Sequence, residues 1–364
     1  MKSRNAVLLV LTVLACVAIV LVNWVAPPIQ KTIEYTKYST VRLNVFDTEI
    51  TLIGFAESEE AFAKNAEQAF ELLENLDRIF DAYNAYDGLN NLYYLNRRAA
   101  QEPVPVPREL FELISWCKQK WDENLRSTNI AMGAVLSIWH DYRTAGIASP
   151  DEAALPPMET LQAAEAHTDF QNVVLDANKQ TVFYSDPELQ LDIGAVAKGY
   201  AADAASALLS KSMPSFLLSL GGNVYAGEKP LDGRSAWAVG VQDPRAKALE
   251  ASISGSDILD IIDVTGLSVV TSGDYWRYYT VDGVRYHHII DPKTLMPSTQ
   301  MQSVTVVCQS SILADFLSTA LFVNSYEDGL ALVNSLPGVE AMWVLPDGKI
   351  EYSAGMTKFV RSLQ

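Results

Sequence analysis

Four short stretches of this chain combine residue types that do chemistry. In "ILADFLSTALF", Asp315 and Thr319 stand four positions apart in an apolar run. On a helix two such side chains share a face. A carboxylate buried there without a partner would be costly. A hard cation, Mg2+ or Ca2+, held by carboxylate, hydroxyl and main-chain carbonyl oxygens removes that cost. A partly exposed helix start or a lysine partner removes it equally well. In "LDIGAVAKGYAAD", residues 191–203, a strand is expected to end at Ile193, and small residues lead through Lys198 into a helix. That is either a phosphate-binding helix start or an ordinary strand-to-helix turn with a surface lysine. It lacks the glycines and the Gly-Lys-Ser/Thr of a P-loop. In "SLGGNVYAGE", Gly221 and Gly222 permit positive φ and close backbone approach, or else mark a β-bulge.

The fourth stretch, "VVTSGDYWRYYTVDGVRYHHIIDPKT", holds a polar turn at Thr271 to Asp274 and adjacent histidines at 287 and 288. Arg277 and Tyr286 face the hairpin interior or its rim. If the return strand alternates, the two imidazoles point to opposite faces. They cannot both reach one metal ion without a bulge. One serves a site, and the other is solvated or packed.

The elements that must position these residues are legible as periodicities. Residues 41–55 alternate as two strands joined at Asp47-Thr48. Ser58, two glutamates and apolar residues at 62, 66, 69, 70, 73, 76, 79 and 80 predict a long capped amphipathic helix. "GLNNLYYLNRR" predicts a short helix or turn, and "ELFELISWCKQKWDENL" a second long helix, started at Pro107. Residues 144–160, with Pro150, Pro156 and Pro157, read as irregular, and "LQAAEAHTDF" as a short helix. "NVVLDANKQTVFYS" predicts a hairpin, as does Asp282-Gly283. Strands are expected in 216–228, breaking at Gly221-Gly222, and in 236–244, 259–273, 277–291 and 302–310, helices in 199–211, 311–325 and 325–336, and a closing hairpin in 340–353. Separated helices with mostly antiparallel strands indicate an α+β fold. There is no repeat and no low-complexity segment.

The length of 364 residues suits one large domain or two ordinary ones. A net charge of −17 argues against a nucleic-acid partner and requires that any polyanion be met by a local basic or metal site. Of three cysteines, Cys117 and Cys308 read as buried small apolar residues, in no metal-binding spacing. Lys2 and Arg4 precede an uncharged run from Ala6 to Ala26, long enough for one bilayer crossing. The charge order puts the start inside and the body outside, with Trp24 at an interface. An uncleaved anchor is expected over residues 1–26, followed by a linker at 27–37.

In this order, "LDIGAVAKGYAAD", "LGGNVYAGE" with "WAVGVQDP", "TSGDYWRYY" with "RYHHIIDP", and "SVTVV" with "ADFLSTAL" resemble the ApbE family of FAD:protein FMN transferases. They span 191–321, with weaker similarity back to Tyr38. The resemblance implies a single α+β domain related to the T-fold, over residues 38–364, on an extracytoplasmic membrane protein. It implies that FAD is split at its diphosphate, that FMN is joined to a threonine or serine of a membrane-associated redox partner, and that AMP leaves. Mg2+ is the implied cofactor, held by Asp315, Thr319 and the carbonyl of Ala195. Lys198, Gly221, Gly222, Asp274, Tyr275 and His288 would meet the nucleotide, and Tyr83 the flavin. His288 or Asp291 would accept the proton of the acceptor hydroxyl. The chain departs from the family at Tyr38-Ser39-Thr40, usually Met-Gly-Thr, at Asn129 and Ala131, usually Asp and Thr, at Asp81, usually Ser, and at Leu295, usually Gly. Two other activities fit the same residues: an FAD pyrophosphatase, with water in place of the acceptor, and a non-catalytic flavin carrier.

Overall fold

The structure, a computed structural model, describes residues 34–246, 257–275 and 277–364. Strands β1 (Thr36–Val45) and β2 (Thr48–Ala56) lead into α1 (Glu59–Phe80), α2 (Leu92–Arg98), β3 (Val104–Pro105), α3 (Arg108–Asp122), α4 (Gly133–Ala148) and α5 (Met158–Glu165). The hairpin β4 (Val173–Asp176) and β5 (Thr181–Tyr184) precedes α6 (Ala197–Leu209). Then come β6 (Phe216–Leu220), β7 (Asn223–Ala226), β8 (Trp237–Gln242), β9 (Ile258–Val264), β10 (Leu267–Gly273), β11 (Tyr278–Val281), β12 (Val284–His287) and β13 (Ser303–Cys308). Helices α7 (Ser311–Val323) and α8 (Tyr326–Ser335) are followed by the hairpin β14 (Glu340–Val344) and β15 (Ile350–Tyr352). Residues 37–364 form one compact unit.

The main sheet has eight strands in the order β1-β2-β6-β7-β10-β13-β14-β15. From β2 onward each neighbouring pair is antiparallel. This is the expected α+β class. One face of the sheet packs on α1, α3, α6 and α7, through Ala69, Leu73, Leu113, Ala201, Ala205, Leu317 and Leu321. The other face packs on the β8–β9 hairpin, through Trp237, Val239, Ile262 and Val264. Adjacent residues on β10 serve opposite layers, Val269 toward the hairpin and Val270 toward the helices, as strand alternation requires. A separate apolar cluster joins α4, α5, β11 and the 290–296 loop, through Met132, Val135, Trp139, Leu161, Tyr279, Ile290 and Leu295.

Local rules explain most starts and turns. Ser58 caps α1 by accepting from Ala61 N–H, and α1 buries the apolar positions its period marks. Gly221 (φ 51°) and Gly222 (φ 98°) make a tight hairpin turn between β6 and β7, not a bulge. Asp282 (φ 50°) and Gly283 (φ 78°) do the same between β11 and β12, with the left-handed pair that two-residue hairpins favour.

Several sequence expectations need correction. The first hairpin turns at Phe46-Asp47, both at positive φ, one residue earlier than expected. No strand ends at Ile193: residues 186–196 are irregular and touch another strand-like segment only through an isolated Met132–Gln190 bridge. Residues 144–160 are less irregular than their prolines suggest, because α4 runs to Ala148 and α5 begins at Met158. Pro157 there sits just before the first helical turn, where a missing N–H costs little. Cys117 and Cys308 are free and buried, as expected. The 6–26 run lies outside the described residues. Among the described residues no helix is long and apolar enough to cross a membrane.

Candidate active site

The site is assembled where α6 and α7 cross. Gly199 lies in the first turn of α6, so its N–H has no acceptor within its own helix. It donates to Asp315 Oδ2 of α7 at 2.8 Å. The helices approach this closely because residue 199 has no side chain. A Cβ there would lie 2.5 Å from the Ser311 carbonyl oxygen and 2.7 Å from Asp315 Cβ. Farther along the crossing, Asp203 of α6 accepts from Ser311 N–H (2.7 Å), Ile312 N–H (3.1 Å) and Ser310 Oγ (3.0 Å). Asp203 therefore caps α7 from outside, using the orphan donors every helix start presents.

Asp315 itself is buried, 4% exposed. Burial raises its pKa, while Lys198, the Gly199 N–H and Asn223 lower it. Asn223 Nδ2 reaches Asp315 Oδ1 only at 3.4 Å, and Asn223 Oδ1 is buried with no partner. Asn223 follows the Gly221-Gly222 turn directly, so the turn delivers it to this carboxylate. Thr319 lies one turn beyond Asp315 on α7 and is half-buried. No hydrogen bond reaches the Ala195 carbonyl among the described residues. These oxygens are the hard donor set a Mg2+-sized cation takes, and the orphan Asn223 oxygen is an added one. The residues present fit the ion. No cluster of three or more His, Cys, Asp or Glu occurs among the described residues, so a site here rests on one carboxylate with neutral oxygens.

Strand β12 ends at His287, so alternation does not carry through His288. The outcome is nevertheless the expected division of labour. His287 Nε2 donates to the Ser298 carbonyl at 2.9 Å, and its Nδ1 accepts from Ile289 N–H at 3.2 Å. Both nitrogens are used, and the ring packs edge-on against Phe322. His288 Nδ1 is buried with no partner. Burial holds the His288 pKa well below the ordinary range, reinforced by Arg277, His287, Arg143 and Lys198. It is a neutral imidazole with an unused nitrogen.

Asp291 is placed differently. Its Oδ1 accepts from Lys293 N–H at 2.9 Å and its carbonyl from Leu295 N–H at 2.8 Å. It shapes the 291–297 loop, and no described hydrogen bond joins it to His288. Leu295 in that loop has φ 61°, the left-handed conformation that suits the glycine usual in the family. The leucine is 3% exposed, and its carbonyl accepts from the Trp139 indole at 2.8 Å. Packing offsets strain here. Leu295→Gly should relieve about 1–2 kcal/mol of backbone strain but lose about 2–5 kcal/mol of burial. A net loss of about 2 kcal/mol, read as a lower urea midpoint, is expected. A stabilised variant would show that strain dominates.

Asp274 is partly buried, which raises its pKa, with its N–H on the Gln302 carbonyl. The Tyr275 ring lies over Gly273. Tyr83 is held by its own loop: Asp81 accepts from Tyr83 N–H (2.7 Å), Asn84 N–H (3.0 Å), Asn84 Nδ2 and Tyr86 Oη. A serine at 81 has one oxygen for that work, so Asp81 ties the loop more fully. Asn129 similarly accepts from Ala131 N–H and donates to the Thr168 carbonyl. Sequence reasoning missed Asn223, Asp203 and the whole of α4 with His140 and Arg143. Only Asn223 carried a signal, its place directly after the glycine turn.

A family model described as the ApbE family matches residues 40–343. The chain is 37% identical over 311 residues to the FAD:protein FMN transferase of Treponema pallidum, covering 82% of this chain and 81% of that protein. It is 32% identical over 292 residues to an FAD:protein FMN transferase of Klebsiella pneumoniae, covering 79% and 84%. Among solved structures, the crystal structure of the ApbE protein of Thermotoga maritima superposes with a TM-score of 0.76 at 27% identity, covering 90% of this chain and all of that one.

Proposed function

The chain belongs to the ApbE family of FAD:protein FMN transferases, and we propose that it cleaves FAD in a Mg2+-dependent reaction, joins FMN to a threonine or serine hydroxyl of a redox partner, and releases AMP. The observation that carries this reading is Asp315, a buried carboxylate clamped to the start of the lysine-bearing helix, with the partnerless Asn223 Oδ1 on the side chain beside it. Asp315, Thr319 and the Ala195 carbonyl would hold the ion, with the Asn223 side chain in contact with Asp315. When bound, Mg2+ neutralises charge on the diphosphate.

The chain's own groups do the rest. Lys198 brings a cation to the phosphates. The glycine turn at 221–222 packs against Thr48 and sets Asn223 beside Asp315. The acceptor hydroxyl oxygen bonds to the FMN phosphorus, the anhydride bond to AMP breaks, and His288 Nδ1 accepts the hydroxyl proton. His288 is preferred over Asp291, whose carboxylate is occupied in its loop. Burial keeps His288 neutral, so the lone pair of its unpartnered Nδ1 is available to accept that proton.

The reading extends to location. The uncharged run 6–26, with cations before it, supports a single anchor that holds the catalytic body outside the membrane, facing a membrane-associated acceptor.

Incubating the purified chain with FAD, Mg2+ and a threonine-bearing acceptor should release AMP and leave flavin fluorescence on the acceptor in a denaturing gel, and EDTA should stop both. Free FMN with an unlabelled acceptor would favour the pyrophosphatase. FAD left intact would sink both.

A further inference from the structure

Two arginines beside the site have no part in the chemistry above. Helix α4 sets His140 and Arg143 one turn apart, and Arg143 Nη2 donates to His140 Nδ1 at 3.2 Å. The proton of this imidazole is thereby assigned to Nε2. Burial, then Arg143, keeps His140 neutral. Its ring stacks on Tyr83 at 4.5 Å between centroids and 24° between planes. Tyr83 is still 54% exposed, so it can take a second ring.

Arg143 is half-buried and forms no ion pair among the described residues. Burial disfavours its charge and Asp192 offsets this in part, yet Asp192 Oδ1 is committed to Gly194 N–H. Arg277 is close enough to oppose that charge. Arg277 donates a long hydrogen bond to the Phe46 carbonyl, at 3.5 Å, and its one carboxylate contact among the described residues is loose, 3.9 Å to Asp47, which is itself 94% exposed and therefore well screened. Arg277 sits at φ 48°, a strained backbone for a non-glycine residue. A chain of net charge −17 thus gathers Arg143, Arg277 and Lys198 around one imidazole. A partly desolvated guanidinium without a carboxylate is unfavourable unless an anion completes it. The guanidinium fork matches phosphate oxygens.

We propose that Arg143, backed by Arg277, binds the FMN-side phosphate of FAD, while the Tyr83–His140 stack fixes how far the flavin ring lies from that phosphate. The proposal rests on the transferase reading and adds a specificity-determining residue to it. Arg143 selects flavin that carries phosphate over flavin that does not.

The test compares riboflavin, FMN and FAD binding, by flavin fluorescence, to the full chain, Arg143→Gln and Arg143→Lys. Arg143→Gln should weaken FMN and FAD binding roughly 10- to 100-fold and leave riboflavin binding unchanged. The KM for FAD should rise and kcat should fall with it, because the phosphate that Arg143 holds is the one attacked. Arg143→Lys, which keeps charge without the fork, should fall between. Equal losses for riboflavin and FMN would overturn the proposal, because Arg143 would then only brace His140 and Tyr83. A change confined to the KM for the acceptor protein would overturn it too, and would assign Arg143 to an acidic patch on that partner. Failure of the wild-type chain to bind any flavin would instead remove the transferase reading beneath it.

Discussion

Asp315→Asn is expected to lower Mg2+-dependent FAD turnover by about 1,000-fold or more while leaving the fold intact. The substitution is isosteric. Asparagine keeps an acceptor for the Gly199 N–H and offers an amide donor to the orphan Asn223 oxygen. What disappears is the charge, and with it the one carboxylate among the proposed ligands. The metal-free protein should hold or gain stability, since it no longer buries an anion. Asp315→Ala is the contrast. It leaves the Gly199 donor unpaired and a cavity behind, and should cost about 1–3 kcal/mol. Steady-state AMP release against Mg2+ concentration, alongside urea melts of both variants, separates these effects. Undiminished turnover in Asp315→Asn would remove the metal assignment altogether.

Gly199→Ala should be the most disruptive single-methyl change in the site. The added carbon meets the Ser311 carbonyl oxygen at 2.5 Å and Ile312 Cα at 2.7 Å. Both are backbone atoms that cannot rotate away. Helices α6 and α7 must separate, which costs about 1–3 kcal/mol as overpacking and strains the 2.8 Å bond to Asp315. Activity should fall about 100-fold or more, since misplacement of roughly 1 Å has that effect. The control lies in the same stretch. A Cβ on Gly194 meets only Asp192 Oδ1, at 3.1 Å, so Gly194→Ala should stay within about 1 kcal/mol of wild type. If both glycines tolerate alanine equally, the helix crossing does not set the site.

Much of this was legible because the signals are local. The face shared by Asp315 and Thr319, the positive φ at Gly221 and Gly222, and the cap at Ser58 depend on residues within a turn or two. The separation of His287 from His288 was also reached, although by alternation that stops one residue short. The actual reason is that Ser298 and Ile289 occupy both nitrogens of His287. What the sequence could not show lives in long-range contacts. Helix α4 starts at Met132 with no side-chain cap, and its few buried positions pack on β11 and the 290–296 loop rather than on the main sheet. Its apolar period is therefore weak, and His140 and Arg143 stayed invisible with it. A strand was expected to end at Ile193 because apolar residues such as Leu191 and Ile193 fill the main core, which they do without a ladder.

The clamp between α6 and α7 also dictates when a site can exist. Gly199 and Asp315 are 116 residues apart in sequence, Asp203 and Ser311 108, and Asn223 and Asp315 92. Closing loops of that size is entropically slow and depends on the sheet between them. An emerging or partly refolded chain would have its hairpins and long helices before it has a place for a cation or a diphosphate. Competence for flavin would then appear as a late, all-or-none step in refolding, trailing helix formation. The chain could not act on FAD before that crossing has formed.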